Sequence, residues 1–213
     1  MTDTLAPTTL LLATTNAGKA REYIGLFADL PLRVITLADL GVTDEVDETG
    51  DTFLANARLK SAAGRMAAQA RGLAAWVLGD DSGLEVDALG GAPGVFSVRW
   101  AGPNTSAAER NTLLLARLDE VPLEGRTARF RCLISLLDPL GQEWVGDGTL
   151  AGRITFAPRQ QPGYGFGYDP IFELPERGLT VAEIPPAAKA AISHRGRAVA
   201  QIRPVLARAA DEH

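Results

Sequence analysis

The sequence predicts an α/β chain. Near the start an apolar run, Thr9–Ala13, is followed by a small polar loop and then a helical pattern with Tyr23, Ile24, Phe27 and Leu30 on one face. A long helical stretch from about Thr52 leads into a second apolar run, Ala74–Leu78. Between Thr127 and Phe156 alternating segments are separated by turn residues, as antiparallel strands are.

In chain order, Leu32–Leu37 predicts a second strand, and Thr43–Asp51 an acidic loop. The helix from Thr52 offers Phe53, Ala57, Ala63, Met66 and Ala67 to a core and stops at Gly72. Ala74–Leu78 reads as a buried strand with Gly79-Asp80-Asp81-Ser82-Gly83-Leu84 as its exit, and Leu84–Asp87 as another strand. Gly90–Gly94 is a rigid loop, Val95–Trp100 a strand and Ser106–Leu118 a capped amphipathic helix. Thr127–Leu137, Gln142–Leu150 and Arg153–Phe156 follow as strands joined by Pro-Leu-Gly and Ala-Gly turns. A last helix after Ser193, its natural N-cap, runs to about Arg208, bent or broken near Pro204.

At 213 residues the chain suits one large domain, or a core with a smaller lobe. Hydrophobic residues at 46% and charged residues at 22% are those of an ordinary globular protein. The single cysteine, Cys132, cannot form an internal disulfide, as expected in a reducing cytoplasm. No apolar stretch has membrane-spanning length and the N-terminus lacks a signal-peptide pattern, so a soluble, cytoplasmic protein with no membrane partner is expected. A formal net charge of -5 argues against a nucleic acid polymer as partner, which needs many phosphates neutralised at once.

Of 21 basic residues only three are lysine, Lys19, Lys60 and Lys189, and eighteen are arginine. A lysine kept against that bias points to a place where a compact ammonium and a planar fork are not interchangeable. Adjacent Asp80 and Asp81 raise each other's pKa unless a cation sits between them or they face apart. A divalent metal is the simplest cure, and an ordinary turn is the alternative. The loop Thr14-Thr15-Asn16-Ala17-Gly18-Lys19, between strand and helix, presents backbone N–H groups and a helix dipole to an anion, without the spacing of a Walker loop. Thr52, Asn56 and Lys60 stack along one helix face beside Glu48. Gly163-Tyr164-Gly165-Phe166-Gly167-Tyr168-Asp169-Pro170 alternates glycines with rings that could stack on a base, or close a local core. Lys189 and His194-Arg195 add a lysine, an imidazole and a guanidinium. Acids for a cation, lysines for phosphates and rings for a base together describe a nucleoside triphosphate site.

These stretches resemble the non-canonical purine nucleoside triphosphate pyrophosphatase (inosine triphosphate pyrophosphatase) family. The resemblance rests on Ala13–Lys19, Glu48–Phe53 with Asn56, Ala57 and Lys60, Asp80–Leu84, Gly90–Gly94, Phe166–Pro170 and Ser193–Gly196, in family order over nearly the whole chain. It implies one such domain over residues 1–213, with an elongated mixed sheet, flanking helices and two lobes around a central nucleotide cleft. It further implies a homodimer and a Mg2+-dependent hydrolysis of ITP, dITP and XTP to the monophosphate and pyrophosphate. By the same resemblance, Thr14, Thr15, Asn16, Ala17, Gly18, Lys19 and Lys60 hold the triphosphate, with Lys60 counted among the catalytic residues. Glu48 and Asp80 support the metal, and Asp81 both binds it and orients or deprotonates the water. Asn56 and Ser82 touch substrate, and Phe166, Gly167, Tyr168, Asp169, Lys189, His194 and Arg195 surround the base. Thr15 departs from the family, where a smaller Gly or Ser is common. The alternatives are a non-catalytic nucleotide sensor and a pyrophosphatase for modified pyrimidine nucleotides.

Overall fold

The computed structural model describes residues 7–211. Seven strands, β1 (Thr9–Leu12), β2 (Arg33–Thr36), β3 (Trp76–Val86), β4 (Thr127–Leu137), β5 (Glu143–Ile154), β6 (Phe172–Leu174) and β7 (Leu179–Thr180), form one sheet in the order β2-β1-β3-β4-β5-β6-β7. β1 pairs in parallel with β2 and β3, whereas β5–β6 and β6–β7 are antiparallel, so the sheet is mixed. The helices are α1 (Ala17–Leu26), α2 (Phe53–Gln69), α3 (Ala107–Arg117), α4 (Pro186–Ile192) and α5 (His194–Asp211).

The chain forms two compact units. The first runs to Asp81 and adds Cys132–Gly148 and the segment from Arg195 onward; the second holds Ser82–Arg131 and Thr149–His194. β3, β4 and β5 each contribute residues to both. Leu10, Leu12, Tyr23, Phe27, Leu78 and Ile134 are among the buried residues of one core cluster in the first unit, and Leu11, Ile35 and Val77 belong to another. Leu84, Leu114, Phe130, Ile154, Ile171 and Phe172 lie in the core of the second.

Several sequence expectations are corrected. The Asp80-Asp81 stretch does not leave the sheet: β3 runs unbroken through it to Val86, with burial on nearly every residue. Apolar side chains on either side of the pair keep the backbone in the ladder, and the aspartates find partners rather than solvent. Val95–Trp100 is not a strand but a short 3-10 turn, Gly94–Phe96, followed by further turns. Gln142–Leu150 and Arg153–Phe156 are one strand, β5, with no turn at Ala151-Gly152. Gly152 is required there by close approach, because a Cβ would come within 2.5 Å of the Glu173 carbonyl oxygen. Met66 and Ile24, expected in the core, are exposed, and the buried face of α2 is Phe53, Asn56, Ala57, Ser61, Gly64 and Ala68. α5 continues through Pro204 to Asp211. β6, β7 and α4 are too short to leave a periodic signal.

Candidate active site

α2 lies unusually close to the sheet, and glycines make the approach possible. A Cβ on Gly64 would meet Ala13 Cβ at 2.7 Å and Val77 Cγ1 at 2.8 Å; one on Gly79 would sit 2.4 Å from Ala57 O and Ser61 N. Thr52 caps the helix by accepting from Ala55 N at 3.1 Å. Asn56 and Lys60 are thereby delivered onto the middle of β3.

Successive side chains of a strand point to opposite faces, and the aspartate pair uses that alternation. Asp80 Oδ2 accepts from Lys19 Nζ at 2.9 Å, and Arg195 Nε lies 4.0 Å away. Asp81 Oδ2 accepts from Asn56 Nδ2 at 3.0 Å, and its Oδ1 from Lys60 Nζ at 3.3 Å. Lys60 also contacts Glu48 Oε1 at 2.5 Å and donates to the Asp80 carbonyl at 3.1 Å. The like charges are therefore separated by direction and answered by two lysines.

The surroundings push the two carboxyls apart. Burial acts to raise the pKa of Asp80, but Lys19, Arg195 and Lys60 outweigh it and hold the group below the usual carboxylate range. Burial dominates at Asp81 and, helped by Glu48, lifts it above that range against the pull of Lys60, Lys19 and Asn56. Lys60, though burial disfavours its charge, is held up by Asp80, Asp81 and Glu48. A raised carboxyl beside a lowered one is the arrangement that lets one accept a proton while its neighbour stays charged.

Asn56, expected to touch substrate, is fully buried with both ends of its amide engaged: Oδ1 accepts from Gly50 N at 2.8 Å while Nδ2 holds Asp81. It ties the acidic loop that carries Glu48 to the strand that carries Asp81. In the N-terminal loop Asn16 caps α1, accepting from Gly18 N at 2.9 Å and Lys19 N at 3.1 Å. Thr15, Asn16 and Ala17 are exposed and Thr14 and Gly18 half-buried, so this helix start is open to an anion.

The donor set suits magnesium in part. Glu48 and Asp81 already converge on one cationic atom, Lys60 Nζ, and a magnesium ion bound through one or two carboxylates fills its other positions with water and phosphate oxygens. Asp80 is engaged with Lys19, although its Oδ1 has no hydrogen-bond partner among the described residues. No group of three metal-ligating side chains occurs among the described residues.

In the second unit, Lys189 Nζ donates to Asp169 Oδ2 at 2.6 Å and stands 4.7 Å over the Phe166 ring centre. The same Asp169 oxygen accepts from Phe166 N at 2.8 Å. Tyr168 is buried, donates to Ser97 O at 2.9 Å and has its phenol pushed up to about 12, burial being the main cause. His194 is buried and stacks on Phe130, ring centres 4.9 Å apart. Ser82 follows Asp81 on β3 and is half-buried. Arg195, grouped in the sequence with the base-binding residues, lies in the first unit, where it pairs with Glu22 at 2.8 Å beside Asp80.

A model of the Ham1 family matches residues 10–205 of the chain. The chain belongs to the Ham1 family. A dITP/XTP pyrophosphatase of Geobacter sulfurreducens is 48% identical to this Ham1 chain over 196 residues, covering 92% of the chain and 95% of that relative. One from Xanthomonas campestris is 48% identical, covering 91% and 94%. A solved HAM1 protein from Coxiella burnetii superposes with a TM-score of 0.80 at 40% identity, covering 94% of this chain and 99% of that one.

The sequence reading of this Ham1 chain missed Glu22, the ion-pair partner of Arg195, and Ser97 and Asn111, which hold the Phe166–Asp169 segment. Glu22 and Asn111 sit within ordinary helical patterns, and nothing in their local sequence marks them. Each of the three lysines singled out by the arginine-rich composition holds a carboxylate.

Proposed function

We propose that this protein hydrolyses non-canonical purine nucleoside triphosphates, the dITP, ITP and XTP class, to the monophosphate and pyrophosphate. The observation that carries the reading is the convergence of Glu48 and Asp81 on one half-buried cation, Lys60, beside the separately neutralised Asp80. The relatives named dITP/XTP pyrophosphatases support the substrate class.

In this reading Glu48 and Asp81 hold magnesium, with Asp80 supporting from the next position on β3. A bound magnesium ion supplies positive charge to the phosphate oxygens and the departing pyrophosphate. Asp81 takes a proton from the water that attacks the α-phosphorus. Lys19 and Lys60 turn from carboxylates toward phosphate oxygens and stabilise the charge that builds there. Residues 14–18 bind the phosphate tail through the start of α1, and Asn56 keeps Glu48 and Asp81 in register. Ser82 contacts substrate, Phe166 stacks on the base, and Gly167, Tyr168, Asp169, Lys189 and His194 frame it. Arg195 secures Asp80 rather than reading the base. The chain acts as one functional domain, as a homodimer and in the cytoplasm.

The test incubates the protein and magnesium with dITP, ITP, XTP, GTP, ATP and modified pyrimidine triphosphates, and measures pyrophosphate against orthophosphate. Pyrophosphate from the first three is expected. Binding without release would make it a sensor, and preferential cleavage of pyrimidines would move it to the other alternative. Light scattering on the same sample tests the dimer.

A further inference from the structure

We propose that Asn111 is a positioning residue for base recognition, acting through the Gly167 carbonyl on the Phe166–Asp169 segment. The inference rests on the reading of that segment as the part that takes the purine.

α3 is a firm platform. Ser106 accepts from Glu109 N at 3.2 Å while the Glu109 carboxylate takes Ser106 N at 2.7 Å, a reciprocal cap. Its buried positions are Asn111 and Leu114, with buried Leu118 just beyond the helix, the spacing of a core-facing stripe on which a hydrophobe is the ordinary occupant. An amide there is costly unless it is bonded. Asn111 makes one hydrogen bond among the described residues, Nδ2 to Gly167 O at 3.2 Å, and its buried Oδ1 has no partner among them. A polar side chain thus stands in an apolar stripe for one contact, and that contact is to the proposed base-binding segment.

The segment needs such a hold. Gly165 and Gly167 both have positive φ, 70° and 60°, and glycine leaves the backbone soft unless something outside it chooses the conformation. Lys189 fixes Asp169, Ser97 O fixes the Tyr168 hydroxyl, and Asn111 fixes the peptide between Phe166 and Tyr168. Loss of the Asn111 contact frees the carbonyl of the residue that follows the stacking ring. The phosphate-binding lysines and aspartates are untouched by it.

The experiment compares the parent with Asn111→Leu and Asn111→Asp, both close in size and both without the donor. KM and kcat for dITP are measured with magnesium, together with inhibition by inorganic pyrophosphate, which has no base, and the thermal midpoint. Both variants are expected to raise KM for dITP about ten-fold, the worth of one lost hydrogen bond, with kcat and the pyrophosphate inhibition constant near the parent's. Parent-like KM in either folded variant overturns the inference, as does an equal loss of affinity for dITP and pyrophosphate. If Asn111→Leu fails to fold, Asn111→Asp decides alone, and if neither variant folds Asn111 is a structural residue and the inference fails. A parent that neither binds nor cleaves dITP overturns the proposed function, and this inference with it.

Discussion

Asp80 and Asp81 are neighbours in one strand, yet they answer to different lysines: Asp80 to Lys19 at 2.9 Å, Asp81 to Lys60 at 3.3 Å. The period of the strand sends the two carboxylates to opposite faces, where one is held below and the other above the ordinary range.

Replacing Asp81 by Asn keeps the size and the acceptor for Asn56 but removes the base and a negative charge. We expect kcat to fall by about two to four orders of magnitude, the usual worth of general-base catalysis, while nucleotide binding persists. Pyrophosphate release and calorimetric binding on the same preparation check it; turnover within a few-fold of the parent takes Asp81 out of the mechanism.

Lys60 places a compact ammonium among Glu48 Oε1, Asp81 Oδ1 and the Asp80 carbonyl. A planar guanidinium cannot point its donors at three acceptors around one atom. Lys60→Arg is therefore expected to lower kcat/KM about ten-fold or more although the charge is kept. Full kcat/KM in this variant would make the retention of lysine here a coincidence.

Because the folded-state pKa of Asp80 is lowered from 3.8, its ionised form contributes stability that is fully present above that value and is lost as pH falls through the lower folded value. Asp80→Asn should accordingly be less stable than the parent at neutral pH, with the gap narrowing as the solution is taken below about pH 3.8. Urea denaturation of both proteins at pH 7, 5 and 3 reads this directly, and a gap that widens toward acid would reverse the sign.

Gly79→Ala places a methyl 2.4 Å from backbone atoms of α2, which cannot yield as a side-chain tip can. A loss of about 1–3 kcal/mol in stability is expected, accompanied by lower activity because Lys60 and Asn56 ride on the displaced helix. Chemical denaturation against Gly72→Ala, whose added methyl meets nothing within 4 Å but whose φ is +66°, separates packing from backbone strain.

Cys132 is fully buried, its thiol pushed up to about 12, mainly by burial. It should resist alkylation in the native protein and react at once in denaturant. Rapid native labelling, followed by mass spectrometry, would show that this core opens readily.

The sequence by itself determined the elements with strong periodicity and the residue types of the site. β1, β2, β4, the beginnings of α2 and α3 and the turn at Pro139-Leu140-Gly141 were legible because local pattern and capping suffice to specify them. So were Lys19, Lys60 and Lys189, since scarcity of lysine is a property of the linear chain. Only the tertiary structure decided that the aspartate pair stays inside β3, because neighbours from α1 and α2 supply the charge that makes a buried carboxylate tolerable. It likewise buried Asn56 between Gly50 and Asp81 and put Arg195 beside Asp80. Ion pairing and burial join residues dozens of positions apart, and the direction of a side chain depends on the element it stands on, so neither is written in any short stretch of sequence.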